Sequence, residues 1–198
     1  MTPYATEFSP CRRYRYVWRY DFQEAFGAAP LVVIGLNPST ADECVRDPTV
    51  TRCINYAKAW GYGALWMLNL FAYRATDPRV MREAEDPIGP RNGEVLLTEC
   101  ADAFHLRAGM ILCAWGNGGT HLNRARDVCR LLEQNARVEM HALRVTKANQ
   151  PQHPLYLPGD LQPFPYHPFA RECVAGKSLA ACTCVACMAD DDVEVSHG

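Results

Sequence analysis

The chain has 198 residues, 48% hydrophobic and 21% charged, which is enough for one sizeable globular domain and hardly two. Its formal net charge of −2 excludes a global electrostatic attraction to nucleic acid. There is no apolar run long enough to cross a bilayer and no apolar signal core near the start, so we expect a cytoplasmic protein without a membrane partner.

The first predicted element is a strand at "RYRYVWRYDF", residues 13–22. Arginines alternate with aromatic residues there, which predicts one basic and one aromatic face. The basic face is explained equally well by solvation and by contact with phosphates. The acidic "ADDDVEVSHG" at the other end of the chain could offset its charge.

Two continuously apolar runs follow, "APLVVIGL" at 29–36 and "ALWMLNLFAY" at 64–73, and each is typical of a buried parallel strand. Between them, Asp47 and Pro48 predict the N-cap and first turn of a helix that ends at Gly61.

The second half continues the alternation of helices and strands. Helices are predicted at 92–106 and 121–135, strands at "GMILCAWG" and "VEMHALRV", and a proline-rich loop at 146–166. Strands that alternate with helices favour a parallel sheet covered on both faces. We therefore expect an α/β fold, a three-layer α/β/α sandwich around a mostly parallel sheet.

The pattern ends near residue 168, which predicts a domain at 1–168 and a cysteine-rich, acidic tail at 169–198. Six of the ten cysteines are scattered, and those on predicted helices or strands are interpreted as small buried apolar residues. The tail groups four of them, and their spacing could close a structural zinc site. Incidental thiols in a disordered tail are the alternative. The four cysteines are Cys173, Cys182, Cys184 and Cys187.

Polar residues follow the predicted strands at the edge where ligands bind in such sheets. Asn37 and Asn69 carry amides that can orient water or read the edge of a base. His153, beside a proline, can donate a hydrogen bond to developing negative charge. Taken singly, each has an ordinary interpretation: a turn residue, a partner for a neighbouring loop and a solvated loop histidine.

Four segments together resemble the uracil-DNA glycosylase superfamily. "GLNPST" is similar to the first motif, in the Gly-x-Asn-Pro form of the mismatch-specific branch, and "LWMLNL" to the strand that reads the uracil edge. "ILCAWGN" and "HPLYLP" resemble the Trp-Gly strand and the second motif. They occur in the family's order over residues 31–158. More narrowly, the chain resembles an uncharacterised set of such proteins from phages and plasmids.

The resemblance implies roles for individual residues. Asn37 would position the water that attacks the sugar carbon, and His153 would stabilise charge on the departing base. Asn69 would hydrogen-bond to the flipped base, within a base-binding loop that includes Gly35, Leu36, Pro38 and Ser39.

Contacts with the duplex are implied as well. A wedge would fill the gap that the flipped base leaves in the stack, formed by Leu155, Tyr156 or Leu157. Independently of the resemblance, Arg74 after the second apolar strand is a candidate for contact with a phosphate.

The expected function is therefore that of a DNA glycosylase, which flips a damaged or modified pyrimidine into a pocket and hydrolyses its N-glycosidic bond. Catalysis would need no cofactor. Asn37 occupies the position where the fast uracil enzymes carry an aspartate, and this departure concerns the substrate more than the fold. Two alternatives remain open: a phage enzyme that modifies a hypermodified pyrimidine without excising it, and an inactive module that binds DNA or protein.

Overall fold

Strands pair into one mixed sheet in the computed structural model, which describes residues 4–22, 29–40 and 48–168. The order across the described sheet is β1-β2-β4-β3-β5-β6-β7. The strands are β1 Tyr4–Phe8, β2 Arg15–Asp21, β3 Pro30–Gly35, β4 Ala64–Asn69, β5 Met110–Cys113, β6 Met140–Ala142 and β7 Phe164–Pro165.

The centre of the sheet is parallel and its sides are antiparallel. β4, β3, β5 and β6 pair in parallel, whereas β1, β2 and β7 join through antiparallel pairings. The prediction of an α/β chain is confirmed, but the sheet is mixed. Antiparallel neighbours need only a short connection, and the turn between β1 and β2 supplies one. Every residue of β4 is buried, which explains its unbroken apolar sequence.

The described helices are α1 Pro48–Ala59, α2 Pro78–Glu83, α3 Asn92–Ala101 and α4 Arg124–Leu131. Single π-helical turns, Asp102–Leu106 and Leu132–Ala136, continue α3 and α4. The predicted helix at 92–106 is therefore confirmed as α3 with its π turn. α2 was not predicted, although Asp77 caps it by accepting the N–H of Arg79 at 2.8 Å. None of the described helices is long and apolar enough to cross a membrane.

The core joins α1 to one face of the sheet. Val50, Ile54 and Ala57 of α1 pack with Leu31 and Val33 of β3 in one hydrophobic cluster. These α1 positions recur at helical spacing, and those of β3 alternate as on one face of a strand.

The described cysteines on helices and strands follow their prediction. Cys53, Cys100, Cys113 and Cys129 are buried free thiols. Cys11 is exposed; it lies in the turn between β1 and β2, outside the helices and strands for which burial was predicted.

One compact unit runs from Met1 to Tyr166. The predicted tail 169–198, with its four grouped cysteines, lies outside the described residues, and so does the predicted cap Asp47. The structural zinc site therefore stays a prediction.

Candidate functional site

The loop after β3 is fastened to the loop after β4. Three backbone hydrogen bonds of 2.9–3.0 Å join them, from the N–H groups of Leu70, Phe71 and Ala75 to the carbonyls of Gly35, Leu36 and Pro38 respectively. The two strands are parallel neighbours, so both loops leave the sheet at its carboxyl edge. These bonds continue the backbone hydrogen bonding of the sheet into the loop that carries Asn37.

The amide of Asn37 is held in one orientation. Its Nδ2 donates to the carbonyl of Ala75 at 2.7 Å and to that of Pro38 at 3.3 Å. Carbonyls only accept, so these contacts identify the nitrogen and leave Oδ1 on the other side of the amide. No described residue donates to Oδ1. Asn37 thus offers a fixed acceptor, which suits a water molecule that must keep a lone pair for attack.

Asn69 ends β4 and stands opposite Gly35 in the β3–β4 register. A Cβ at position 35 would lie 2.9 Å from Oδ1 of Asn69, so glycine is what leaves room for the amide. Asn69 is only 6% exposed, and its side chain makes no hydrogen bond to a described residue. The amide therefore has donors and an acceptor to offer to a ligand with matching groups.

Two residues that the sequence did not single out support this strand end. Nδ2 of Asn92 donates to the carbonyls of Asn69 and Leu70, at 3.2 and 2.8 Å. Nε of Arg124 donates to the same Leu70 carbonyl at 2.9 Å. Both side chains are buried, and burial lowers the pKa of Arg124. Each begins a helix that was predicted, but the contacts span 22 to 54 residues, which periodicity cannot reveal.

Three buried atoms around Leu70 and Phe71 have no hydrogen-bond partner among the described residues: Oδ1 of Asn92, Nη2 of Arg124 and Nε2 of His121. The His121 ring centroid lies 5.6 Å from that of Phe71. Unpaired polar atoms are uncommon inside proteins. They make the surroundings of the Asn69 strand end unusually polar for a core.

His153 caps the 3₁₀ turn Pro154–Tyr156. Its Nδ1 accepts the backbone N–H of Leu155 at 3.3 Å. In the neutral ring the accepting nitrogen is unprotonated, so Nε2 carries the proton. The cap therefore selects the tautomer in which His153 is a donor through Nε2, as stabilisation of a departing anion requires.

The loop that holds His153 is bound to the end of β5. The N–H of Gly116 donates to the carbonyl of Pro151 at 2.7 Å, and Nε1 of Trp115 donates to Oε1 of Gln150 at 2.9 Å. β5 is the neighbour of β3. The structure thus sets Asn37 and Asn69 at adjacent strand ends and the loop of His153 at the next strand end.

The remaining residues of the predicted base-binding loop have distinct surroundings. Leu36 packs on the loop after β5, where a Cβ at Gly118 would stand 2.6 Å from its Cδ2. Pro38 is buried and contributes its carbonyl to Ala75 and Asn37. Ser39 is half-buried. Fewer residues of this loop are therefore available to contact a ligand than the motif contains.

Arg74 joins the loop of Asn37 to the turn between β1 and β2. Its Nη1 donates to the carbonyl of Arg12 at 3.2 Å and its Nη2 to that of Thr40 at 3.0 Å. Its guanidinium carbon also lies 5.0 Å from the ring centroid of Phe8. These contacts make Arg74 a clamp, whereas Arg12 and Arg13 on the same turn are exposed.

The three residues of the predicted wedge differ in exposure. Tyr156 is 83% exposed and Leu155 is half-buried. Leu157 is 4% exposed and belongs to the hydrophobic cluster under α1, so it is not available to a DNA duplex. The sequence could not separate these neighbours, since a turn directs adjacent side chains to opposite sides.

Comparison with known proteins assigns the chain to a family. A family model described as "Protein of unknown function (DUF1643)" matches residues 15–155. Searches of curated proteins and of solved structures gave no significant match. The matched segment includes Asn37, Asn69 and His153. It covers well over half of the chain, which therefore belongs to the DUF1643 family.

Proposed function

We propose that this chain is a DNA glycosylase-like enzyme with the three-layer architecture of the uracil-DNA glycosylase superfamily, acting on a damaged or modified pyrimidine. The observation that carries the proposal is the presence of two side-chain amides at adjacent strand ends. Asn69 is buried opposite Gly35 with no described partner, and Asn37 is fixed so that its Oδ1 can accept. The parallel centre of the sheet supports the architecture.

In this proposal, a base flipped out of the duplex enters at the carboxyl edge of the sheet. The amide of Asn69 pairs with the donors and acceptors on the edge of the base. A water molecule donates one hydrogen to Oδ1 of Asn37, which keeps a lone pair of the water directed at the sugar.

The bond changes are those of hydrolysis. The water oxygen bonds to C1′ of the sugar, the C1′–N bond breaks, and its electron pair leaves with the base. The proton lost by the water passes to solvent. The Nε2–H of His153 donates to the anionic base, and one such donor lowers a barrier by about 3–4 kcal/mol in other enzymes.

Contact with DNA is supported by residues on the same edge. Tyr156 is exposed beside His153, their ring centroids 5.7 Å apart, and could fill the gap left by a flipped base. Arg12 and Arg13 lie on the turn that Arg74 ties to the loop of Asn37. A local basic turn can contact phosphates on a protein of net charge −2.

The test uses short DNAs that carry uracil, mismatched thymine, 5-hydroxymethyluracil or other modified pyrimidines. Mass spectrometry follows both the released bases and the strands. We expect a free base and an abasic strand from the wild type, and neither from Asn37→Ala. Asn135→Ala is the matched control, because this exposed amide bonds only within its own helical turn, to the carbonyl of Leu131.

Other outcomes would contradict excision. An intact strand of altered mass would favour a base-modifying enzyme. Binding of DNA without any change of mass would favour an inactive binding module.

A further inference from the structure

A groove separate from the amides of Asn37 and Asn69 lies between α1 and the turn that follows His153. Its volume is about 440 Å³. The lining residues on α1 recur at helical spacing and therefore share one face, opposite Leu155 of the turn. They are Pro48, Thr51, Arg52 and Asn55. Ligand sites commonly measure about 300–1,000 Å³, so the groove is large enough for a nucleotide-sized group.

Both walls of the groove are held in place. The hydroxyl of Tyr56 on α1 donates to the carbonyl of Pro158 in the turn. The Tyr56 ring is stacked on Trp60, with centroids 5.0 Å apart, and Leu157 packs in the cluster beneath. The groove is therefore a preformed feature of the fold, which reduces the entropy lost on binding.

Arg52 gives the groove a positive charge that no ion pair with a described residue neutralises. It is half-buried, and within the described residues it makes no hydrogen bond and no ion pair. Its Nη1 lies against the backbone of the turn, where a Cβ at Gly159 would be 2.9 Å away. A guanidinium presents a rigid set of N–H donors that matches phosphate and carboxylate oxygens.

The other polar groups of the groove are neutral. Thr51 contributes a hydroxyl and Asn55 an amide, and both residues are exposed. Among the described residues, Asp160 of the turn is a nearby acid; its charge acts on Tyr56, but it forms no described ion pair with Arg52. One cation with neutral donors suits a singly charged phosphodiester.

We propose that this groove binds a phosphodiester of the DNA strand that leads away from the flipped base, with the guanidinium of Arg52 as the charged contact. The inference rests on the proposed function for its choice of partner. Leu155 lines the groove and directly precedes the exposed Tyr156, so a strand displaced at the wedge passes the groove.

The test measures binding of a fluorescent single-stranded oligonucleotide by anisotropy at several salt concentrations. We expect Arg52→Ala to weaken binding about tenfold at low salt and to reduce the slope of log K against log[salt] by about 0.7, the value for one phosphate contact on a single strand. Arg107→Ala removes the same charge just before β5, at the opposite edge of the sheet, and should leave both quantities unchanged.

A second variant guards against a folding defect. Thr51→Glu places a carboxylate in the groove from an exposed helix position, so it should weaken binding while the thermal unfolding curve stays that of the wild type. Unchanged DNA binding in both variants would overturn the proposal, even if free dTMP were found to bind through Arg52.

The two proposals fail separately. Base release with no effect of Arg52→Ala on binding would refute the phosphodiester site and keep the glycosylase. Arg52-dependent binding without base release would do the reverse.

Discussion

Gly35 stands directly opposite Asn69 where β3 and β4 end, and a Cβ on residue 35 would lie 2.9 Å from the amide oxygen of Asn69. The first residue of the Gly-Leu-Asn-Pro motif is therefore required for space beside the amide of a different strand. This relationship makes Gly35 a test of whether Asn69 reads a ligand.

We expect Gly35→Ala to push the end of the Asn69 side chain aside and leave the strands in place. Loss of one well-placed hydrogen bond should weaken binding of the substrate DNA about tenfold. The measurement is KM or Kd together with the melting temperature. Gly93→Ala is the control, since a Cβ there meets nothing within 4 Å; it should stabilise α3 slightly and leave binding unchanged. Wild-type binding by Gly35→Ala would exclude Asn69 from recognition.

Tyr156 and Leu157 are adjacent in sequence and should respond in opposite ways to truncation. Tyr156→Ala should change the free energy of unfolding by less than about 0.5 kcal/mol, because the ring is 83% exposed. Leu157→Ala should cost about 2–5 kcal/mol, because Leu157 packs in the core. Chemical denaturation measures both, and duplex binding should fall for Tyr156→Ala. A stable Leu157→Ala protein would contradict the packing described above.

Substitutions of Arg74 test whether this residue joins the two loops or contacts a phosphate of DNA. Arg74→Ala should lower the free energy of unfolding by about 0.5–1.5 kcal/mol, since two exposed hydrogen bonds are lost and water can replace them at the carbonyls. It should also raise hydrogen exchange in residues 9–14 and 70–76. Arg74→Lys keeps the charge but cannot reach both carbonyls, so it should fail to restore stability. If lysine instead restores DNA binding and stability is unaffected in either variant, the phosphate role is the correct one.

Asn92 and Arg124 donate to the same carbonyl, that of Leu70, and should therefore be energetically coupled. Either donor can satisfy the carbonyl when the other is removed. Arg124→Met should be nearly neutral, since loss of the donor is offset by removal of a buried charge. The double variant with Asn92→Ala should cost about 1 kcal/mol more than the sum of the singles. A double-mutant cycle measures this, and strict additivity would contradict it.

Cys11 should be the most reactive thiol among the described cysteines at neutral pH. A hydrogen bond from Ser9, 3.3 Å away, and then contacts with Arg13 lower the pKa of Cys11 from 9.0 to about 7. The thiolate should therefore predominate at pH 7.5, and alkylation should decline as the pH falls through 7. Burial raises the pKa of Cys113, which should stay unlabelled in the folded protein.

Peptide-resolved mass spectrometry of iodoacetamide labelling gives the pH profile for each cysteine. Ser9→Ala should shift the Cys11 midpoint upward. A wild-type midpoint near 8.5 would contradict the lowered pKa.

Sequence alone determined the central strands and the longer helices of this protein. The apolar runs at 31–34, 64–68 and 110–113 are buried only in a sheet that is covered on both faces. The helices at 48–59 and 92–106 are marked by local periodicity and by turn residues at their ends. The order of these elements also implied that Asn37 and Asn69 share a sheet edge, since parallel strands end on the same side. That part of the candidate site was predictable because it depends on local pattern and on one rule of connection.

Only the tertiary structure decided which polar atoms are used and which remain available. The bond from Asn37 to Ala75 joins residues 38 apart, and Arg74 reaches across 62 residues to Arg12. Burial of Leu157 depends on α1, and support of the Asn69 strand end depends on the N-termini of α3 and α4. The antiparallel sides of the sheet likewise follow from long-range pairing. These features arise when distant segments compete for the same donors and the same apolar surface, and no local pattern records the outcome of that competition.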